Sequence, residues 1–130
     1  MILVLDTSVI IDMERNNSDT INKIKNLIKL HPSEAKITFI TYYEFLKGIE
    51  KRKIKNKEKA TDFINKFEFL NINRKTAEIL SELKIKYGSL GIQFSLADLL
   101  IAAQVIENQM LLVTEDKNFN KIKELKKVIL

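Results

Sequence analysis

Ile2-Leu3-Val4-Leu5 is an unbroken apolar run that stops at Asp6. A strand with one face in water alternates apolar and polar residues. An unbroken run instead predicts a strand covered on both faces, as in a parallel sheet flanked by helices. Lys36-Ile37-Thr38-Phe39-Ile40 and Met110-Leu111-Leu112-Val113 read the same way. Val128-Ile129-Leu130 predicts a last strand at a sheet edge, and Phe69-Leu70-Asn71-Ile72 a weaker one.

Between these runs the apolar spacing turns helical. Ile21, Ile24, Leu27 and Ile28 form one stripe, with Ser18 or Asp19 as N-cap; Phe45, Leu46 and Ile49 follow the second strand. Ala60, Phe63, Ile64 and Phe67 form another stripe, and Ala77, Leu80, Leu83 and Tyr87 follow an Asn73 cap. From Leu96 to Ile106 the pattern is apolar nearly all round, which predicts a helix buried in the core, at a subunit interface, or both. Strands alternating with helices predict an α/β fold with a mostly parallel sheet, in one domain spanning 1–130. The charge run from Glu50 to Lys59 reads as a solvated loop between two helices.

Composition narrows the chemistry. The 130 residues suffice for one hydrophobic core, and with 45% apolar and 30% charged residues the chain is a globular one. No Cys is present, which excludes a disulfide scaffold and thiolate metal sites. The net charge of +5 suits a polyanionic partner such as nucleic acid, although a Lys-rich surface serves solubility equally well. The opening apolar run is too short for a signal peptide or a membrane span, so the expectation is a cytoplasmic protein with no membrane partner.

Four acids then stand out by position. Asp6 directly follows the first strand and Asp116 lies three residues beyond Val113, where ligands bind at the carboxyl edge of open parallel sheets. Glu44 and Asp98 fall in the first turns of helices, within Thr41-Tyr42-Tyr43-Glu44 and Ser95-Leu96-Ala97-Asp98. Taken singly, each of those two reads rather as a capping-box acid, and only their joint placement favours a site. Asp6 resists such a reading, because a carboxylate ending a wholly apolar strand is costly to desolvate unless it is paired or ligated. Clustered carboxylates raise one another's pKa and call for cations; an all-oxygen set suits Mg²⁺ or Mn²⁺, ions that assist phosphodiester cleavage.

Other chemistries fit less well. His31, the only histidine, precedes Pro32 in a loop-like stretch, so Ser–His and Cys–His mechanisms lack support. Gly48, Gly88 and Gly91 form no phosphate-binding fingerprint. A receiver domain needs adjacent acids after the first strand, where Thr7 and Ser8 stand, and an aspartate-based phosphatase needs an acid at Ser8. A non-enzymatic signalling or binding module, with every acid a cap or turn, remains the contrasting reading.

Leu5-Asp6-Thr7-Ser8-Val9-Ile10-Ile11-Asp12 resembles the opening of a PIN domain, especially of VapC-type toxins. Tyr43 to Ile49, Ala97 to Ala103 and Leu112 to Phe119 resemble the family's later motifs, in its order and across nearly the whole chain. The resemblance implies a three-layer α/β/α sandwich and an endoribonuclease dependent on one or two Mg²⁺ or Mn²⁺ ions. It implies a homodimer and a cognate antitoxin, or else a stand-alone nuclease of RNA processing. Asp6, Glu44, Asp98 and Asp116 carry over as metal-holding acids. Thr7, Ser8 and Thr114 carry over as hydroxyls that orient them, or as turn and helix caps.

Where many family members have an acid before the Phe of the last motif, this chain has Asn118, so Glu115 is the fallback for Asp116. Asp12 reads as a surface or capping residue. Lys47, Lys51, Arg52 and Lys53 are the basic residues expected to meet RNA or the antitoxin, or else to form a solvated helix face. Phe45, Leu46, Ile49 and the Asp98 helix supply either core or dimer interface.

Overall fold

The computed structural model describes residues 1–52 and 54–130. Its elements run β1 (Leu3–Leu5), α1 (Thr7–Glu14), α2 (Ser18–Leu30), β2 (Lys36–Thr38), α3 (Phe39–Ile49), α4 (Ile54–Ile64) and β3 (Glu68–Leu70). They continue with α5 (Arg74–Ser89), α6 (Leu96–Glu107), β4 (Leu111–Thr114), a short 3₁₀ helix (Lys117–Lys121) and β5 (Lys127–Ile129). The strands form one five-stranded, all-parallel sheet in the order β3-β2-β1-β4-β5.

β1 lies at the centre, pairing Leu3 with Leu111, Val4 with Leu112 and Leu5 with Val113. Successive strand residues point to opposite faces. Val4 and Leu112 therefore enter a core with Leu83, Tyr87, Leu99 and Val105 of α5 and α6. Leu3, Leu5, Leu111 and Val113 enter a second core with Val9, Ile10, Ile24, Phe45 and Ile64 of α1 to α4. Two cores on two faces explain why β1 and β4 read as unbroken apolar runs, and they make the molecule an α/β/α sandwich. Burying each such aliphatic side chain contributes about 1.5–3 kcal/mol.

Three local expectations change. Phe39 and Ile40 belong to α3 rather than β2, because Thr38 caps the helix: its Oγ1 accepts from Thr41 N–H at 3.2 Å. Asn17, not Ser18 or Asp19, caps α2. Much of the Glu50–Lys59 run is helical, in α4; Lys and Glu are good helix formers, and Ala60 and Ile64 anchor that helix in the core. Asn73 caps α5 as expected, in a reciprocal capping box with Thr76. Phe45 and Ile49 are buried in the core, which removes them from any subunit interface. Among the described residues, no helix is long and apolar enough to cross a membrane.

Candidate active site

The carboxyl edge of the sheet is where β1 and β4 release the chain. Asp6 ends β1, donates its N–H to Val113 O at 2.9 Å and caps α1 by accepting from Thr7 N–H at 2.8 Å. Its other oxygen accepts from Thr114 Oγ1 at 2.6 Å. Thr114 is fully buried, and its hydroxyl also accepts from Asp116 N–H at 3.0 Å. One hydroxyl thus ties the first acid to the backbone of the last.

Glu44 is held from another direction. Thr7 Oγ1 donates to Glu44 Oε1 at 2.7 Å and lies 3.1 Å from Thr41 Oγ1, which in turn lies 3.3 Å from Thr38 Oγ1. A hydroxyl has one proton; with that of Thr7 committed to the carboxylate, Thr7 accepts from Thr41. Because α3 begins at Phe39, Glu44 sits in its second turn, past the capping positions. The capping-box reading of Glu44 therefore fails.

Asp98 is the third residue of α6, and its N–H donates to Ser95 Oγ at 3.1 Å. Asp116 caps the 3₁₀ helix, accepting from Asn118 N–H at 2.9 Å. The four acids come from four separate elements, and two of them, Asp6 and Asp98, feel the charge of the others. Burial pushes the Asp6 carboxyl above its usual range. Bonds from Thr114 and Thr7 pull it back, and the charges of Glu44 and Asp98 push it up again. Burial likewise raises Asp98; the Ser95 hydroxyl offsets part of the rise, while Asp116 and Glu44 add to it. Asp98 therefore lies within electrostatic range of Asp6, Glu44 and Asp116.

Glu115 turns elsewhere. It packs against Asp12, which accepts from Thr20 Oγ1 at 2.8 Å. A proton shared with Asp12, together with burial, raises Glu115 to about 6, and the same contact lowers Asp12. Asp12 is thus half of a carboxyl pair rather than a simple surface or capping residue. Asp116 lies within electrostatic range of Asp98, whereas Glu115 pairs with Asp12.

The orienting hydroxyls divide similarly. Thr7 and Thr114 bond carboxylates, whereas Ser8 Oγ is buried with no hydrogen-bond partner among the described residues. Sequence reasoning missed Thr38 and Thr41, which are fully buried and sit behind Thr7. Their only signal was a pair of threonines three apart at a strand end, which also spells a helix cap. Of the expected basic contacts, Lys47 and Lys51 are exposed. Arg52 is ion-paired with Glu14 and lies over the Phe45 ring, so it is not a free contact residue. Lys53 lies outside the described residues.

The donor set is oxygen only, as hard divalent cations require. Among the described residues, no three acids stand close enough together to hold a metal ion as they are. Asp6 and Asp98 lie within electrostatic range of neighbouring acids, where repulsion and burial disfavour their ionisation, and a cation would relieve both. By donor type, though not by their present spacing, the residues suit such an ion.

The PIN domain family model matches residues 3–125. Among solved structures, VapBC2 from Rickettsia felis bound to a promoter DNA fragment superposes with a TM-score of 0.84 at 24% identity, covering 100% of this chain and 99% of that one. VapBC-1 from nontypeable Haemophilus influenzae gives 0.81 at 23%, covering 99% and 98%. FitAcB from Neisseria gonorrhoeae gives 0.83 at 20%, covering 97% and 96%. No curated protein matches significantly in sequence. With almost the whole chain matched and the acids gathered at the sheet edge, this chain belongs to the PIN domain family.

Proposed function

We propose that the chain is a metal-dependent endoribonuclease and the toxin of a toxin–antitoxin pair. The observation that carries this reading is the convergence of Asp6, Glu44, Asp98 and Asp116 from four elements, with Asp6 and Asp98 both raised by burial and by neighbouring acids. The fold shared with VapBC complexes and membership of a nuclease family support it.

Asp6, Glu44, Asp98 and Asp116 would hold one or two Mg²⁺ or Mn²⁺ ions. When bound, such an ion supplies positive charge to the phosphodiester in its transition state and acidifies water. The chain's own part is geometric. Thr114 fixes one Asp6 oxygen, and Thr7 fixes Glu44 through a chain of hydroxyls reaching Thr38. Preset ligands need no reorganisation during the reaction. Each acid serves as a ligand, and none is assigned as a separate general base. RNA is the substrate and the cytoplasm the site of action; an antitoxin is the cellular partner.

A homodimer completes the proposal, supported by the exposed apolar residues Ile85, Leu90 and Leu96. The test is RNA cleavage with Mg²⁺ or Mn²⁺ against chelator, by wild type, Asp6→Asn and Asp98→Asn. Cleavage confined to metal-supplied wild type supports the reading; chelator-resistant cleavage, or unchanged rates in both variants, overturns it. Growth arrest relieved by a small neighbouring gene would separate a toxin from a processing nuclease.

A further inference from the structure

Beside Glu44, helix α3 carries a ridge that the metal chemistry does not use. Phe39, Tyr43 and Lys47 are spaced four apart on one face, and all three are exposed. Phe39 is 44% and Tyr43 51% exposed, unusual for aromatic side chains with a full core available nearby. Lys47 Nζ lies 5.6 Å from the centroid of the Tyr43 ring, so a cation rests against one ring face.

Aromatic faces flanked by cations are how proteins hold single-stranded nucleic acid. The ring stacks a base and the cation meets the phosphate beside it. The chain's net charge of +5 suits that partner. A duplex offers no free base face to an aromatic ring, because its bases already stack on one another; single strands and loops present unstacked bases that can be splayed apart.

We propose that Tyr43, with Phe39 and Lys47, stacks a base of single-stranded RNA next to the scissile phosphodiester and so sets which RNA enters the acidic site. This rests on the ribonuclease reading. Lys47 lies three residues past Glu44, on the same face of α3, so a nucleotide held by Tyr43 and Lys47 borders the acids.

The test separates the two ideas by measuring binding in chelator, where cleavage is silent. The probe is a single-stranded oligoribonucleotide carrying 2-aminopurine, whose fluorescence reports stacking, compared with the same sequence as a duplex. Wild type should bind the single strand in preference and quench the probe. Tyr43→Ala should weaken binding by about 5- to 150-fold and abolish quenching, while Tyr43→Phe keeps both. Lys47→Ala should weaken binding and flatten its salt dependence.

Wild-type binding and quenching retained in Tyr43→Ala would overturn the proposal. So would equal affinity for the duplex, or loss of self-association in Tyr43→Ala without change in RNA binding, which would make the ridge a subunit contact. Normal quenching without cleavage in Mg²⁺ would defeat the nuclease reading while leaving the stacking ridge standing.

Discussion

Thr114→Val exchanges a hydroxyl for a methyl at nearly constant shape, in a residue with no exposure. Two bonds disappear: the 2.6 Å bond to Asp6 and the 3.0 Å bond from Asp116 N–H. A hydrogen bond to a charged group contributes about 1.5–3 kcal/mol. Asp116 is exposed, so water can satisfy its N–H, and the Asp6 bond dominates. The expected loss near neutral pH is about 2–3 kcal/mol, or roughly 6–12 °C in Tm for a chain of this size.

The pH dependence gives the sharper signature. The folded pKa of Asp6 already lies above the unfolded 3.8, and removing the Thr114 donor raises it further. A raised carboxyl favours folding fully below its unfolded pKa, and that contribution is lost as pH rises through the folded value. The deficit of Thr114→Val is therefore largest when Asp6 is ionised and shrinks as Asp6 takes up its proton. Urea unfolding in chelator at about pH 7.5 and about pH 4 measures how far the deficit shrinks on acidification, with Thr114→Ser as the control that keeps the hydroxyl. A deficit below about 0.5 kcal/mol, one independent of pH, or one shared by Thr114→Ser would refute the reasoning.

Asp98→Asn should abolish cleavage yet raise Tm in chelator, because it removes a charge disfavoured by burial, Asp116 and Glu44; thermal melts check the direction. Glu115, at about 6 when folded and 4.5 when not, should contribute a loss of stability as pH rises across that interval. Glu115→Gln should flatten that slope in pH-dependent melts and keep RNA cleavage. Gln109 holds a left-handed φ of 54° after α6, with Met110 N–H bonded to Val105 O at 3.1 Å in a Schellman turn. Gln109→Gly should stabilise by roughly 0.5–1 kcal/mol in urea unfolding.

Much of this molecule is legible along its chain, and the gaps have physical causes. β1 and β4 announce themselves because both faces are buried, leaving no polar alternation. The second strand misleads at Phe39-Ile40, where apolar residues suit strand and helix alike; the Thr38 cap, a local hydrogen bond, decides for helix. Asp6 could be singled out since its burial follows from its position after a buried strand. Glu44 could not be separated from a cap, because that depends on where α3 begins, and Asp98 keeps its place in the first turn after the Ser95 cap. The hydroxyl chain behind Thr7 and the Asp12–Glu115 pair join residues far apart in sequence, a proximity no spacing rule contains.

The central claim is that Asp6, Glu44, Asp98 and Asp116 act together as one cation site. Calorimetric titration of Mn²⁺ into wild type and into Asp6→Asn, Glu44→Gln, Asp98→Asn, Asp116→Asn and Glu115→Gln tests it most directly. The account predicts that each of the first four weakens binding by about tenfold or more, a loss of about 1.4 kcal/mol or greater, while Glu115→Gln binds as wild type does. Equal binding by all five variants, or a loss confined to Glu115→Gln, would contradict it.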